Sequence, residues 1–329
     1  MAESSFGVQA GDPPAPRPPL GQAFLDLALT GLNDGWRYVV GLLLLVMVSQ
    51  VIGAALMIAV LGRSLGELGE LLQGGELKHG PSLRLFTAVN LGTVGLLIAV
   101  CLVVRLVHDR GLLTLLTPWR RFSVKRLLEG CGWWFLLQGV SLGLAWVLDP
   151  SGGRFHPDLV KLWPFAALAL VLTPLQIAGE ELTFRGYFLQ GLGWLTRRPL
   201  PLCLLSGLLF MLPHLANPEM NYGTLPMALT YGALGMFLAL ITLRDNRLEL
   251  ALGVHLANNL FAIVVAHPEV SALPTPSLFT VRDVDPWPSL AVFLVVALAF
   301  YLLAFRQGSG GGADPSRNAA SSGEPGIDC

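Results

Sequence analysis

Residues 162–189 read LWPFAALALVLTPLQIAGEELTFRGYFL. The stretch opens as an unbroken apolar run over 162–178, close to the ~20 residues that carry a helix across the hydrocarbon core of a bilayer. Where that run stops, Glu180, Glu181 and Arg185 follow with no polar loop between. Ionisable groups beside a membrane-length run cost several kcal/mol and by default mark function. The stretch therefore predicts both a lipid-embedded helix and a working site on it.

Reading outward, runs of comparable length occur at 38–61, 86–107, 130–148, 200–215, 224–243, 250–266 and 287–305. With the first, they predict an all-α, polytopic transmembrane helix bundle of about eight crossings. The composition agrees, because 53% of the 329 residues are hydrophobic and only 13% charged, whereas a soluble domain carries about a quarter. Trp36, Trp163 and Trp287 fall at run starts, where interfacial aromatic rings belong. An N-terminus inside the cell places most of the 21 basic residues on the cytoplasmic side, including Arg105, Arg110, Arg120, Arg121, Lys125 and Arg126. That bias predicts an N-in/C-in topology, and a plasma (inner) membrane location for a bacterial chain. A net charge of −1 offers no basic surface for nucleic acid.

The transmembrane domain spans 36–306, between a Pro-, Gly- and Ser-rich cytoplasmic tail at 1–35, expected to be disordered, and a flexible cytoplasmic tail at 307–329. Leu65, Leu68, Leu71 and Leu72 among acidic residues predict a short amphipathic surface helix. Cys101, Cys131, Cys203 and Cys329 lie far apart with no CxxC spacing, which suggests neither a disulfide framework nor a cysteine zinc site.

Chemistry-bearing residues concentrate in three places. In the first, Glu181 and Arg185 are four apart and share a helical face, a spacing that favours an ion pair. Glu180 is turned by roughly 100° and is free for another task, such as activating water. Pro174, Gly179 and Gly186 could break the helix there and let backbone approach. The second place runs from Phe210 to His214, and in the third His255 and Asn259 are again four apart. Histidine can serve as ligand, base or donor, and an asparagine amide can donate to an oxyanion. Asn90, Gln50, Gln138 and Gln176 read as interhelical hydrogen-bonding groups, and His79, His108, His156 and His267 as loop residues.

These three motifs, EExxxR, FxxxH and HxxxN in that order, resemble the signature of the CPBP family, the type II CAAX proteases and bacteriocin-processing (Abi) enzymes. The resemblance covers about 162–266. It implies an intramembrane endopeptidase acting on a membrane-associated protein or peptide in the lipid bilayer, as in CAAX-box protein processing. Glu180 and His214 would activate water, His255 and Asn259 would stabilise the oxyanion, and Glu181, Arg185 and Phe210 would orient groups or bind substrate. Two mechanisms stay open: glutamate-activated water alone, or a divalent metal such as zinc held by His214, His255 and a glutamate. The compact HExxH zinc signature is absent from the sequence. The alternatives from other classes are a catalytically silent membrane immunity or scaffold protein of the same fold, and a proton-coupled transporter.

Overall fold

The computed structural model describes residues 20–62, 81–282 and 284–306. Each of the eight apolar runs becomes a helix: α1 (Gly35–Leu61), α2 (Leu83–Leu106), α3 (Val124–Leu148), α4 (Leu159–Leu192), α5 (Pro199–His214), α6 (Thr224–Asp245), α7 (Glu249–Val264) and α8 (Pro286–Ala304). Among the described residues, six are long and apolar enough to cross a membrane, while α5 and α7 have 16 residues each. A 16-residue helix is about 24 Å long, short of the ~30 Å hydrocarbon core. The chain is a polytopic helical membrane protein.

Helix starts follow from local chemistry. Ser82, Ser123 and Asp158 accept hydrogen bonds from backbone amides three residues on, and Asp285 from Trp287. Each satisfies an N–H left unpaired by the first turn. Asn246 closes α6 in the left-handed conformation at φ 54°, which asparagine tolerates better than most residues. Trp36, Trp163 and Trp287 lie exposed near the starts of α1, α4 and α8.

The bundle pairs α1 with α2, α3 with α7 and α5 with α6, and α4 packs on both α2 and α7. Several of these pairs approach closely through glycine. A Cβ at Gly253 would overlap the Leu127 carbonyl, and one at Gly235 would lie 2.9 Å from the Gly207 Cα. Small residues let membrane helices gain van der Waals contact where lipid supplies no hydrophobic drive. The second contact draws α5 against α6 beside the motif residues.

Several expectations change. Residues 20–34, assigned by composition to the disordered tail, fold into a short helix (Gln22–Leu25) and a 3₁₀ turn (Asp26–Thr30). Their anchor is apolar: Phe24, Leu25 and Ala28 are buried, the first two within the main core. The surface helix expected around Leu65–Leu72 lies outside the described residues. Between crossings, three short strands form a sheet in the order β1 (Gly153–Phe155), β3 (Phe279–Val281), β2 (Ala266–Pro268), the first pair antiparallel and the second parallel. The largest revision concerns α4. Its helix does not stop at 178 but continues through the acidic motif to Leu192, with a π-helical stretch over Leu182–Leu189. Pro174 sits inside the helix without ending it.

Candidate active site

The motif residues converge from α4, α5 and α7. Glu181 is fully buried, and its Oε1 accepts from Arg185 Nη1 at 2.6 Å and from His255 Nδ1 at 2.7 Å. Arg185 is equally buried, donates through Nη2 to the Gly235 carbonyl at 3.2 Å, and lies 4.5 Å over the Phe210 ring. An isolated charge in this environment is untenable; pairing and hydrogen bonding make it tolerable. Phe210 in turn meets His255 edge-on, with ring centroids 5.6 Å apart.

Glu180 has a different environment. Its side chain keeps 15% of its exposure, and Oε1 accepts from Gln176 Nε2 at 3.1 Å. Oε2 lies 3.8 Å from His255 Nε2, beyond hydrogen-bonding range. Two neighbouring carboxylates are thus divided, one locked in an ion pair and one partly exposed beside imidazole. The π-helical stretch that follows Glu181 carries Arg185, and such stretches are frequent at functional sites.

His214 stands at the end of α5. Its Nδ1 lies 2.7 Å from the Phe210 carbonyl, which can only accept, so Nδ1 carries hydrogen and Nε2 presents a lone pair in the neutral ring. Among the described residues nothing is hydrogen-bonded to that Nε2. Glu180 acts electrostatically on His214. The Phe210 ring lies against both histidines, with centroids 4.5 Å from His214 and 5.6 Å from His255.

Asn259 lies one turn beyond His255, partly buried. Its Oδ1 accepts from Asn258 Nδ2 at 3.3 Å, while Asn258 Oδ1 receives Gln138 Nε2 at 3.1 Å and Trp134 Nε1 at 3.4 Å. This relay occupies the Asn259 carbonyl and leaves its amide hydrogens unpaired among the described residues. No hydrogen bond joins Asn259 to Glu180, His214 or His255 there.

Four further residues belong to this surround, of which only Gln176 and Gln138 stood out in the sequence, as interhelical hydrogen-bonding groups. Gln176, expected to bond between helices, holds Glu180 from one turn earlier, and its i−4 spacing was the available signal. Asn258 and Gln138 support Asn259, and Tyr231 of α6 stacks on His214 at 4.4 Å. His108, read as a loop histidine, is buried with Nε2 3.0 Å from the Tyr187 hydroxyl. Asn90 bonds within its own helix, to the Phe86 carbonyl.

Among the described residues, no three His, Cys, Asp or Glu side chains are grouped to hold an ion.

A family model described as type II CAAX prenyl endopeptidase Rce1-like matches residues 160–261, the span that holds all three motifs. Protein YyaK of Bacillus subtilis (strain 168), described as uncharacterized, is 35% identical over 204 residues, or 61% of this chain and 68% of its own length. No solved structure matches the chain. Fold, motif order and both similarities agree: the chain belongs to the Rce1-like, type II CAAX prenyl endopeptidase family, an intramembrane protease family of multi-pass membrane proteins.

Proposed function

We propose that the protein is an intramembrane endopeptidase that hydrolyses a peptide bond in a membrane-associated protein or peptide, with Glu180 as general base for water. The observation that carries this reading is the division between the adjacent glutamates: Glu181 is spent on Arg185 and His255, and Glu180 stays partly exposed, 3.8 Å from His255 Nε2. Glu180 takes a proton from water as the oxygen attacks the scissile carbonyl carbon, and His214, with its Nε2 lone pair, helps hold that water. The resulting oxyanion receives hydrogen bonds from the free Asn259 amide and from His255, when its Nε2 carries a proton. Glu181 fixes the other nitrogen of His255 and so sets the direction of that donor. Collapse of the intermediate breaks the C–N bond, and the proton held at Glu180 passes to the leaving amine. No step passes through a metal.

Prenylated proteins ending in a CAAX box are the substrates that the family's description suggests. The test compares membrane peptides by mass spectrometry from cells making wild-type protein or Glu180→Gln at equal abundance. Peptides present only with the wild type support the reading and nominate substrates. Identical profiles would overturn it.

A further inference from the structure

His214 is gripped from two sides. Phe210, one turn earlier on α5, lies on one side with centroids 4.5 Å apart and planes 34° apart; Tyr231 of α6 lies against it at 4.4 Å and 28°. The Tyr231 hydroxyl receives Asn217 Nδ2 at 3.2 Å, and the backbone amide of Asn217 donates to the His214 carbonyl at 3.0 Å. A closed circuit results: imidazole, tyrosine ring, tyrosine hydroxyl, asparagine side chain, and the turn that ends His214's own helix.

An imidazole at a helix end has two soft torsions, and its Nδ1 bond to Phe210 restrains the ring at one point only. Stacked aromatic rings resist the tilt and flip that this bond leaves free. We propose that Tyr231, anchored by Asn217, is a positioning residue that holds the His214 ring in the Nδ1–H tautomer with Nε2 directed toward the water used by Glu180. This rests on the endopeptidase reading for its catalytic consequence, but not for the ring geometry itself.

The variants separate stack from anchor. Tyr231→Phe and Asn217→Ala keep both rings and lose only the hydroxyl link; Tyr231→Leu loses the stack as well. Full-length protein in nanodiscs, with ¹⁵N-labelled histidine assigned by a His214→Gln difference spectrum, reports the His214 tautomer without any substrate. Turnover is read with an internally quenched farnesylated peptide carrying a free C-terminal carboxylate. Wild type is expected to show one Nδ1–H tautomer and Tyr231→Leu a mixture. With KM unchanged, kcat falls roughly tenfold or more in Tyr231→Leu, as misplacement of a proton-transfer group implies. It falls only about two- to threefold in Tyr231→Phe and Asn217→Ala, in line with one neutral hydrogen bond.

An unchanged tautomer in folded Tyr231→Leu would overturn the proposal. So would a Tyr231→Phe loss as deep as that of Tyr231→Leu, which would make the hydroxyl a donor to the reacting atoms instead. Should Tyr231→Leu not fold, equal small losses in Tyr231→Phe and Asn217→Ala support the anchor, and no loss in either removes it. If the peptide is not cleaved by wild type while the tautomer responds as expected, the prenylated-peptide substrate fails and the clamp stands.

Discussion

His255 Nδ1 lies 2.7 Å from Glu181 Oε1, a contact that joins α7 to α4 across 74 positions of sequence. The same oxygen takes the Arg185 guanidinium, so one buried carboxylate organises a cation, an imidazole and, through Arg185, the Phe210 ring.

Removing the cation leaves Glu181 with His255 alone in a membrane interior. Arg185→Leu is expected to destabilise the protein by about 3–5 kcal/mol, the cost of an uncompensated buried charge. Glu181→Leu combined with Arg185→Leu should recover much of the lost melting temperature in detergent, yet no activity. If the double variant melts no higher than the single one, the pair is not coupled as described.

The Asn258–Asn259 relay makes a graded expectation. Asn259→Ala should lower kcat by about 10²–10³ with little change in KM, as for loss of an oxyanion donor. Asn258→Ala, which frees the Asn259 carbonyl and lets its amide rotate, should cost less, about tenfold. Steady-state kinetics on the quenched peptide would measure both, and equal KM rises without a kcat effect would place these residues in substrate binding instead.

Because the side chains do not gather into a metal-binding set among the described residues, extended treatment with EDTA or 1,10-phenanthroline should leave turnover within about twofold, less than the loss of one hydrogen bond would cause. Loss of activity restored by added zinc would contradict the water mechanism as written.

Outside the spanning helices, His267 of β2 is buried, with Nδ1 3.3 Å from both Thr275 Oγ1 and the Ala262 carbonyl. Burial holds its imidazole below the usual histidine range, partly offset by the backbone bond to Ala262. The folded state therefore binds fewer protons than the unfolded chain, whose histidine titrates near ~6.5. Stability is full above that value and falls as pH drops below it, toward the lower folded value. Melting temperature should decline from pH 7.5 to 5.5, and His267→Gln should show a shallower decline.

Hydropathy located all eight apolar helices because lipid-facing residues must be apolar whatever their partners: Val160, Val147 and Leu148 lie almost bare. The i,i+4 ion pair of Glu181 and Arg185 was equally legible, being a local consequence of helical spacing. The π-helical stretch was not. It depends on tertiary fit, since a Cβ on Gly186 would lie 2.8 Å from the Leu115 carbonyl of a distant loop. Tyr231 and Asn258 were hidden for a related reason: their contacts cross between helices, and no periodicity within one segment encodes them. Phe24 was missed because a Pro-rich stretch masked one buried aromatic.

The central claim is that the two adjacent glutamates divide the work, and purified Glu180→Gln and Glu181→Gln compared side by side in proteoliposomes test it most directly. Glu180→Gln should melt with wild type and lose turnover by about 10²–10⁴, the contribution of a positioned base, whereas Glu181→Gln should lose melting temperature as well as activity. Turnover near wild type in a well-folded Glu180→Gln would contradict the account.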